Sequence, residues 1–379
     1  MRVLALNPWH GGSHRAFLEG WIAHSRHEFT PVTLPAHRWK WRMRHAAVSF
    51  AQEVGRLAAR GAEWDALLCT DMLNLAEFRG LCPTAVHRLP TAVYFHENQL
   101  AYPSRSEHDP PERDLHFAFT NFTTALAADA IWFNSNWHRQ TFLASLRDWL
   151  HHMPDFDENG ALDQIRARSS VQRPGIEVPI ASIRQTARSP LHIVWAARWE
   201  YDKDPETFFT AIRQLVEQDV PFNISVLGES FRDAPDCFEN SRHWLGDRVL
   251  NWGYLESRAA YRQVLSQADV FVSTARHEFF GIAAAEAIAS GCVPLLPDRL
   301  AYPELVGSDP QYLYDGTSEE LATRLRQLAD TPNNLAELYE HCTTLKTQIA
   351  QLDWRIRADE LDDALHTVAA RPTDGLDRG

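Results

Sequence analysis

Short apolar runs alternate with longer amphipathic segments along almost the whole chain. Near the N-terminus, Arg2–Leu6 predicts a buried strand, and a helix is expected from about Ser13 to Ser25, after Gly11-Gly12. This alternation of strands and helices is typical of a doubly wound parallel sheet. Further strands are predicted at 29–34, 66–69, 91–95 and 130–133 in the first half, and at 191–197, 223–227, 249–252, 270–273 and 293–296 in the second.

The alternation restarts at Leu191, after a polar, proline-containing stretch from about Pro154 to Pro190. We therefore predict an α/β protein with two Rossmann-like, doubly wound domains facing a cleft, in which ligands bind at the carboxyl ends of the strands. The expected segments are an N-terminal domain at 1–175, a linker at 176–190, a C-terminal domain at 191–350, and a C-terminal helix with a polar tail at 351–379.

Two helices of the second half carry terminal signals. Asp204 before Pro205 predicts a helix start with the aspartate as N-cap, because proline is favoured at the first helical position. A second helix is predicted from Gly281 to Ser290, and Gly291 is expected to adopt a left-handed conformation at its end.

Charge is distributed unevenly over the 379 residues. The formal net charge is −13, which argues against a protein that coats DNA without specificity. Residues 1–187 contain 19 basic and 19 acidic residues, whereas residues 188–379 contain 18 and 31. Two halves that differ in this way suggest two domains with different partners.

The cysteines and the apolar runs indicate the cellular compartment in which the protein is expected to act. Five scattered cysteines without CxxC spacing make a disulfide framework or a zinc site unexpected and favour the reducing cytoplasm. No apolar run approaches the roughly 20 residues of a membrane span, so no membrane association is expected. The first apolar run is also too short for a signal peptide.

Two glutamates, Glu278 and Glu286, are separated by seven residues and lie before and within the predicted helix. Eight helical steps span roughly 12 Å, longer than the separation of paired carboxylates in a glycoside hydrolase. We expect them to hold different parts of one elongated ligand, with a diphosphate at the N–H groups of Phe280, Gly281 and Ile282. The alternative is an ordinary amphipathic helix with a solvated glutamate.

Arg198 and Lys203 follow the first strand of the second half. Cations at the carboxyl edge of a sheet suit phosphate oxygens, and arginine can bind them through two donors. Basic residues in loops are otherwise simply solvated. A site for a diphosphate in an acidic domain would nevertheless need two such cations.

In the first half of the chain, two predicted strands are followed by polar or glycine-containing segments. Gly11-Gly12-Ser13-His14 permits close approach of a ligand to the backbone, although a tight turn without a ligand is the alternative. It is not GxGxxG, which disfavours a nicotinamide or flavin site. In Tyr94–Gln99, His96 could bind sugar hydroxyls or transfer protons, or serve a structural role.

A basic run interleaved with tryptophan spans 37–45, inside a segment, 29–52, that contains no acidic residue. Apolar positions at helical spacing show that it leads into a helix. Basic residues with aromatics suit the phosphates and stacked bases of RNA, whereas the alternative is a solvated basic face with buried tryptophans. The candidate contacts are Arg38, Lys40, Trp41, Arg42 and Arg44.

Over residues 190–315, these motifs resemble a GT-B glycosyltransferase of the family 4 kind. The resemblance implies that Glu278 binds donor-sugar hydroxyls, Glu286 the nucleotide ribose, and Arg198 with Lys203 the diphosphate. It also implies that His96 approaches the donor sugar. The donor site then comprises Gly11, Gly12, Arg198, Lys203, Glu278, Phe280, Gly281, Ile282 and Glu286, with His96, Glu278, Arg198 and Lys203 catalytic.

Most of residues 1–150 resembles the tRNA-queuosine α-mannosyltransferases, through Gly11–His14, Leu34-Pro35 with Trp39–Arg42, Tyr94–Leu100 with Tyr102-Pro103, and Phe133–Ser135. The spacing around Gln164–Val171 departs from the pattern. The resemblance implies retaining transfer of mannose from GDP-mannose to the queuosine at the wobble position of tRNA-Asp, without a metal. It implies acceptor or tRNA contacts at His14, Arg38, Lys40, Trp41, Arg42, Arg44, Glu97, Asn98 and Asn134.

Two other functions remain open at this point. One is a family 4-like transferase for a lipid or a small glycoside, which would use the same two glutamates. The other is a noncatalytic protein that binds a nucleotide sugar or RNA.

Overall fold

The computed structural model describes residues 1–101, 115–153, 159–179, 190–230, 234–330 and 332–370. Tyr102-Pro103, residues 180–189 of the predicted linker and the tail from 371 lie outside the described residues. The chain forms two compact units. Unit 1 comprises 1–175 with 354–379, and unit 2 comprises 176–353.

In its described part, unit 1 contains one parallel sheet of six strands. The strands are β1 (Arg2–His10), β2 (Glu28–Pro35), β3 (Ala66–Thr70), β4 (Thr91–Phe95), β5 (Ala130–Phe133) and β6 (Ser169–Val171), in the order β2-β1-β3-β4-β5-β6. The helices between them are α1 (Gly12–His24), α2 (Trp39–Ala59), α3 (Leu75–Leu81), α4 (Thr84–His87), α5 (Leu115–Ala127), α6 (Asn136–Leu150) and α7 (Asn159–Arg168).

Unit 2 repeats this architecture. Its strands are β7 (Leu191–Ala196), β8 (Phe222–Leu227), β9 (Val249–Gly253), β10 (Val270–Val272), β11 (Val293–Pro297) and β12 (Leu313–Tyr314), in the order β12-β11-β10-β7-β8-β9. Its helices are α8 (Pro205–Glu217), α9 (Cys237–Leu245), α10 (Arg258–Gln267), α11 (Ile282–Ala289), α12 (Tyr302–Leu305), α13 (Ser318–Asp330) and α14 (Pro332–Ala350).

Helices cover both faces of each sheet, so the inner strands are buried on both sides. All residues of β3, β4, β5 and β7 are buried, which explains why these strands were readable as continuous apolar runs. In unit 1 the chain passes from β1 to β2 on one side and later enters β3 on the other. In unit 2 the corresponding reversal lies between β7 and β10. Each sheet therefore has a switch point where the loops after two neighbouring strands diverge at the carboxyl edge.

The last helix, α15 (Trp354–Ala370), belongs to unit 1. Its Asp362 carboxylate accepts hydrogen bonds from Trp21 Nε1 and Ser25 Oγ, both at 2.7 Å. The Trp354 ring packs so closely on α1 that a Cβ on Gly20 would lie 2.3 Å from Cε2 of that ring. The absence of a side chain at Gly20 is thus a condition for docking α15.

The polar stretch from about 154 to 190 shows no apolar pattern that predicts a strand or a helix, but part of it is regular structure. Residues 159–168 form α7, where Leu162 and Ile165 are buried three positions apart. Residues 169–171 form β6, which pairs with β5 in parallel. Because β6 is a short strand at the sheet edge, it tolerates serines, and the pattern of apolar residues did not reveal it.

The prediction that Asp204 is the N-cap of α8 is half right. Asp204 does precede α8, with Pro205 in the first turn, but its side chain makes no capping hydrogen bond. Its backbone is left-handed, with φ at 50°, and its carboxylate binds Arg276 and Thr207. Arg276, in the loop after β10, thus binds the Asp204 carboxylate that was expected to cap α8.

Candidate functional site

The loops after β7 and β10 are joined by hydrogen bonds at the switch point of unit 2. The hydroxyl of Thr274 donates to the Lys203 carbonyl at 2.8 Å. The backbone N–H groups of Arg276 and His277 donate to the Asp202 carbonyl at 2.8 and 3.2 Å. The guanidinium of Arg276 also grips the Asp204 carboxylate through Nε and Nη2, at 2.8 and 3.1 Å. Residues distant in sequence are thereby held in one rigid arrangement.

Lys203 lies at the centre of this arrangement, with its side chain only 10% exposed. Its Nζ donates to the His277 carbonyl at 2.6 Å and lies 3.2 Å from Asp202 Oδ2 and 3.5 Å from Glu278 Oε2. Burial acts to lower the pKa of Lys203, but the Glu278 and Asp202 carboxylates raise it above its usual value. The lysine is a fixed ammonium group suited to an anionic ligand.

Glu278 stands just before α11, where its Oε1 accepts the N–H of Gly281 at 3.2 Å and more weakly that of Phe280 at 3.4 Å. Burial acts to raise the pKa of Glu278, but Lys203 and the two N–H groups hold it below its usual value. Gly281 has φ at 91°, and a Cβ there would lie 3.0 Å from Tyr302 Cε1. Only glycine suits this turn, which presents an ionised carboxylate at a helix start.

The two remaining predicted donor contacts of unit 2 have their own partners. Glu286 lies in the second turn of α11, and its Oε1 accepts a hydrogen bond from Arg258 Nη2 at 2.6 Å. Arg198 is exposed, and its Nη1 lies 3.1 Å from Glu200 Oε2. The structure therefore brings Lys203 to Glu278 and places Arg198 as the more exposed cation of the same loop.

In unit 1, His96 directly follows β4, and its ring stacks on that of His14 with centroids 3.9 Å apart. Its Nε2 is buried and has no hydrogen-bond partner among the described residues. Burial, followed by the fields of His14 and His138, lowers the pKa of His96 well below its usual value. The ring is thus a neutral imidazole with one buried nitrogen that lacks a hydrogen-bond partner among the described residues.

Asn98 and Asn134, both predicted to contact the acceptor, organise the loop around His96. Asn98 Oδ1 accepts the Ala101 N–H at 2.9 Å, and Asn134 Nδ2 donates to the His96 carbonyl at 2.9 Å. Both residues are buried, whereas Glu97 between His96 and Asn98 is partly exposed. The geometry gives the two asparagines a role in shaping the loop, and their contact with a substrate stays a prediction.

The glycine pair after β1 has a packing explanation at one position. A Cβ on Gly11 would lie 2.4 Å from the Cβ of Ala36, so no larger residue fits. Gly12 has φ at 51° and open space around it. The predicted donor contact at these glycines stays a prediction, most naturally at Gly12.

The basic run forms the first turns of α2. Arg38, Lys40, Trp41 and Arg44 are exposed. Trp41 is 57% exposed, more than any other large apolar residue in the described part of unit 1. Lys40 and Arg44 lie over the Phe117 ring, at 5.8 and 5.6 Å from its centroid. We name the four exposed side chains Arg38, Lys40, Trp41 and Arg44 the α2 basic face.

Arg42 departs from the expectation of a phosphate contact because it points inward. Its Nε donates to the Pro35 carbonyl at 3.0 Å, and its guanidinium also meets His45 and His37. It is buried, and it fastens the start of α2 to the end of β2. One residue of the basic run is thus structural, and four remain accessible.

Several residues of these sites were missed by the sequence analysis. Asp71 accepts the His96 N–H, Asp202 and Arg276 join the loops of unit 2, and Arg258 binds Glu286. Asp71 directly follows the buried strand β3, so the rule that selected His96 after β4 could also have selected it. Arg258 carries no comparable signal, because its contact spans 28 positions in sequence.

Comparison with known proteins covers both units. Residues 2–176 match the family model described as tRNA-queuosine alpha-mannosyltransferase N-terminal, and residues 183–344 match glycosyl transferases group 1. A tRNA-queuosine alpha-mannosyltransferase of Drosophila melanogaster is 34% identical over 343 residues, which is 87% of each chain. A GDP-mannose-dependent phosphatidylinositol dimannoside mannosyltransferase of Mycobacterium tuberculosis is 26% identical over 45% of this chain and 46% of its own.

Solved structures confirm the predicted GT-B fold class. Sucrose-phosphate synthase from Thermosynechococcus elongatus aligns with a TM-score of 0.73 at 15% identity, covering 98% of this chain and all of that one. Anabaena HepE in complex with UDP aligns with a TM-score of 0.64 at 15% identity, covering 97% and 100%. Within the described residues, no helix combines the length and the apolarity needed to cross a membrane. The chain is a glycosyltransferase, and it belongs to the tRNA-queuosine alpha-mannosyltransferase family.

Proposed function

We propose that this protein transfers mannose from GDP-mannose to the queuosine at the wobble position of tRNA-Asp, with retention of the anomeric configuration. The observation that carries the proposal is the 34% identity to the Drosophila enzyme over 87% of both chains, which includes the acceptor-side unit as well as the donor-side unit. Five scattered cysteines without CxxC spacing support a site of action in the reducing cytoplasm.

The donor half of the reaction is assigned to unit 2. The diphosphate of GDP-mannose lies against Lys203, Arg198 and the N-terminal end of α11, because ammonium, guanidinium and helix N-termini all stabilise phosphate oxygens. The N–H groups of Phe280 and Gly281 donate to Glu278 Oε1 in the free protein, so the diphosphate would take the place of that contact. Glu278 receives the sugar hydroxyls, and Glu286 receives the ribose hydroxyls. As the bond to the anomeric carbon breaks, negative charge grows on the diphosphate, where the fixed cations stabilise it.

The same cations support a reaction that needs no metal. Lys203 is already held as an ammonium by two carboxylates, so a charge complementary to the leaving group is present before the donor binds. We therefore expect transfer to continue in the presence of EDTA.

The acceptor half is assigned to unit 1. The neutral His96 approaches the donor sugar, and Glu97 with the loop at Asn98 meets the hydroxyls of the queuosine. The α2 basic face binds phosphates of the anticodon arm, because its cations lie in a segment without acidic residues.

The deciding experiment incubates the protein with GDP-mannose and tRNA-Asp that carries queuosine, followed by digestion and mass spectrometry of the nucleosides. A nucleoside heavier by one hexose is expected, sensitive to an α-mannosidase and present with EDTA. Matched incubations use tRNA-Asp without queuosine, queuosine-containing tRNAs of other specificities, and GDP-glucose. Transfer to none of the tRNAs would overturn the proposal, and transfer from another donor or to another tRNA would revise its specificity.

A further inference from the structure

Asp71 is a buried carboxylate at the switch point of unit 1 that the proposed mechanism does not use. It follows β3 directly and is 1% exposed. Its Oδ1 accepts the backbone N–H of His96 at 2.9 Å, although the two residues are 25 positions apart. Its own carbonyl accepts a hydrogen bond from Asn121 Nδ2 at 3.0 Å, and its N–H donates to the Tyr94 carbonyl at 3.1 Å. The carboxylate is therefore held from its own loop and points at the end of β4.

The carbonyl group of His96 is bound from the other side, by the residue that directly follows β5. Asn134 Nδ2 donates to the His96 carbonyl at 2.9 Å, while Asn134 Oδ1 accepts a hydrogen bond from His138 Nδ1 at 2.8 Å. The contact with His138 fixes the orientation of the amide, so that its NH₂ group must face His96. The N–H and the carbonyl of His96 are thus bound by side chains from the two strands that flank β4.

The ring of His96 is held as firmly as its backbone. It stacks on His14 and contacts the edge of Phe17 at 5.1 Å between centroids. Its Nε2 is nevertheless buried without a partner among the described residues, an arrangement that is costly unless a ligand completes it. Because the N–H, the carbonyl and the ring of His96 are all held, its Nε2 can point in only one direction.

We propose that Asp71 and Asn134 are positioning residues, which hold the peptide groups of His96 from both sides and so fix the direction of its ring Nε2 toward the donor sugar. The inference rests on the proposed function, since it needs His96 to act in transfer. Displacement of a positioned group by about 1 Å can cost up to a hundredfold in rate. Asp71 therefore contributes to kcat through His96 without touching the substrate.

The test compares Asp71→Ala with Asp71→Asn and with a matched control in the same sheet. Asp71→Ala removes the acceptor for the His96 N–H, whereas Asp71→Asn keeps an amide oxygen that can accept it. The control is Asp129→Ala, because Asp129 Oδ2 accepts the Thr91 N–H at 2.8 Å at the other end of β4. Asp71→Ala thus removes a bond to the N–H that directly follows β4. Asp129→Ala removes a bond to the first N–H of β4, together with the ion pair between Asp129 and Arg79.

We expect Asp71→Ala to lower kcat by about tenfold to a hundredfold with little change in the KM for tRNA. Asp71→Asn should restore most of that kcat, and Asp129→Ala should leave kcat within about twofold of the wild type. In a double-mutant cycle, adding Asp71→Ala to His96→Ala should cost little more than His96→Ala alone. Additive effects in that cycle, or equal losses in the two alanine variants, would overturn the inference.

Two further measurements separate this inference from the proposed function and from unfolding. The imidazole NMR resonances of His96 should shift in Asp71→Ala and not in Asp129→Ala, whichever donor or acceptor the enzyme uses. Unchanged His96 resonances in Asp71→Ala would overturn the inference even if the wild type transfers mannose. If Asp71→Ala does not fold, Asn134→Ala removes the other backbone bond and enters the same cycle with His96→Ala.

Discussion

Lys203 and Arg198 carry the same charge in the same loop, but their surroundings give them different duties. Lys203 is buried between Asp202 and Glu278, whereas Arg198 is exposed and forms an ion pair with Glu200. Removing a buried cation leaves its carboxylate partners uncompensated, which is far more costly than losing an exposed ion pair.

We therefore predict that Lys203→Gln and Arg198→Gln both weaken GDP-mannose binding, by about tenfold each, since each removes a charge-assisted contact. Only Lys203→Gln should also destabilise the protein, by about 3 kcal/mol. Calorimetry measures the binding, and urea denaturation measures the stability. Equal stability of the two variants would contradict the structural half of this prediction.

His277 makes the stability of unit 2 depend on pH. Burial and the neighbouring Lys203 lower the pKa of His277 to about 4, from an unfolded value near 6.5. Because the unfolded chain binds this proton first, the contribution is full above pH 6.5 and is lost as the pH falls toward 4. Between pH 7 and pH 5 we expect a loss of about 2 kcal/mol from this group.

The measurement is the urea-induced unfolding of unit 2 at pH 7 and pH 5, for the wild type and for His277→Gln. The variant lacks the titrating group, so its stability should fall less between the two pH values. His341, which is exposed in the same unit, gives the control variant His341→Gln. A wild-type slope retained in His277→Gln would refute the assignment.

Chemistry at single residues was predictable where a residue's place followed from its strand. His96, Lys203 and Glu278 were selected because each follows a buried strand, and the loops that carry the last two are joined in the structure. Burial of one side chain within a basic run was not predictable. Arg42 differs from Arg44 in its helical phase and in its contacts with the Pro35 carbonyl, His37 and His45, none of which composition reveals.

At the scale of elements, α2 separates a packed face from a charged face. Met43, Ala46, Ala47 and Phe50 are buried, while the α2 basic face lies on the exposed side. Cations in the first turns of a helix oppose its dipole, so they destabilise the free protein and favour an anion there. The helix is thus better suited to the bound state than to the free state.

Charge reversal of the α2 basic face, by Arg38→Glu, Lys40→Glu and Arg44→Glu together, should weaken tRNA binding by more than about tenfold. The slope of log K against log salt should become shallower by roughly two to three, one phosphate contact for each cation. Affinity for GDP-mannose should not change, because none of the three substituted residues is among those assigned to the donor site. Filter binding across a salt series measures the first two quantities.

A matched charge control is available in unit 1. Arg15, Arg60 and Arg88 are exposed, and their reversal to glutamate changes the net charge by the same amount. If this control weakens tRNA binding as much as reversal of the α2 basic face, binding depends on net charge and the local contact is refuted.

Docking of α15 on α1 reverses the usual effect of a helical glycine. Replacing a glycine within a helix by alanine normally stabilises, by about 0.5–1 kcal/mol. Gly20→Ala should instead destabilise by about 1–3 kcal/mol, because its Cβ would overlap the Trp354 ring. Gly55→Ala in α2 is the control, with 4.0 Å of space to Pro83 Cγ, and should stabilise. The midpoint temperature of thermal unfolding should fall in Gly20→Ala and rise in Gly55→Ala. Shifts in the same direction would contradict the prediction.

At the scale of the whole molecule, the repetition of strands and helices predicted two doubly wound sheets, and the structure contains them. Strand existence was readable because inner strands buried on both faces are apolar throughout. The edge strand β6 and helix α7 were not predicted, because a polar segment at the edge of a sheet resembles a connection in sequence. The return of α15 to unit 1 also escaped, because no local pattern encodes a contact between Trp21 and Asp362.

Deletion of the chain after Asp353 should therefore disrupt unit 1 rather than unit 2. The deletion exposes the surface against which Trp354, Leu361, Leu365 and Val368 are buried. Each such side chain contributes about 1.5–3 kcal/mol, against a typical domain stability of about 5–15 kcal/mol. Hydrogen exchange should show lost protection in β1, β3 and β4 and retained protection in β7 and β10. A chain ending at Ala370 should behave as the wild type, and protection of β1 in the shorter chain would contradict the prediction.

The discontinuity of unit 1 also sets an order for biosynthesis. Unit 2 is a continuous segment that is complete once Asp353 has left the ribosome, whereas unit 1 begins at the first residue and waits for α15. Domains usually fold from the N-terminus during translation, at about 5–20 residues per second. Here the segment that is synthesised earlier is finished later, so its apolar α1 surface around Trp21 stays exposed until α15 has been synthesised.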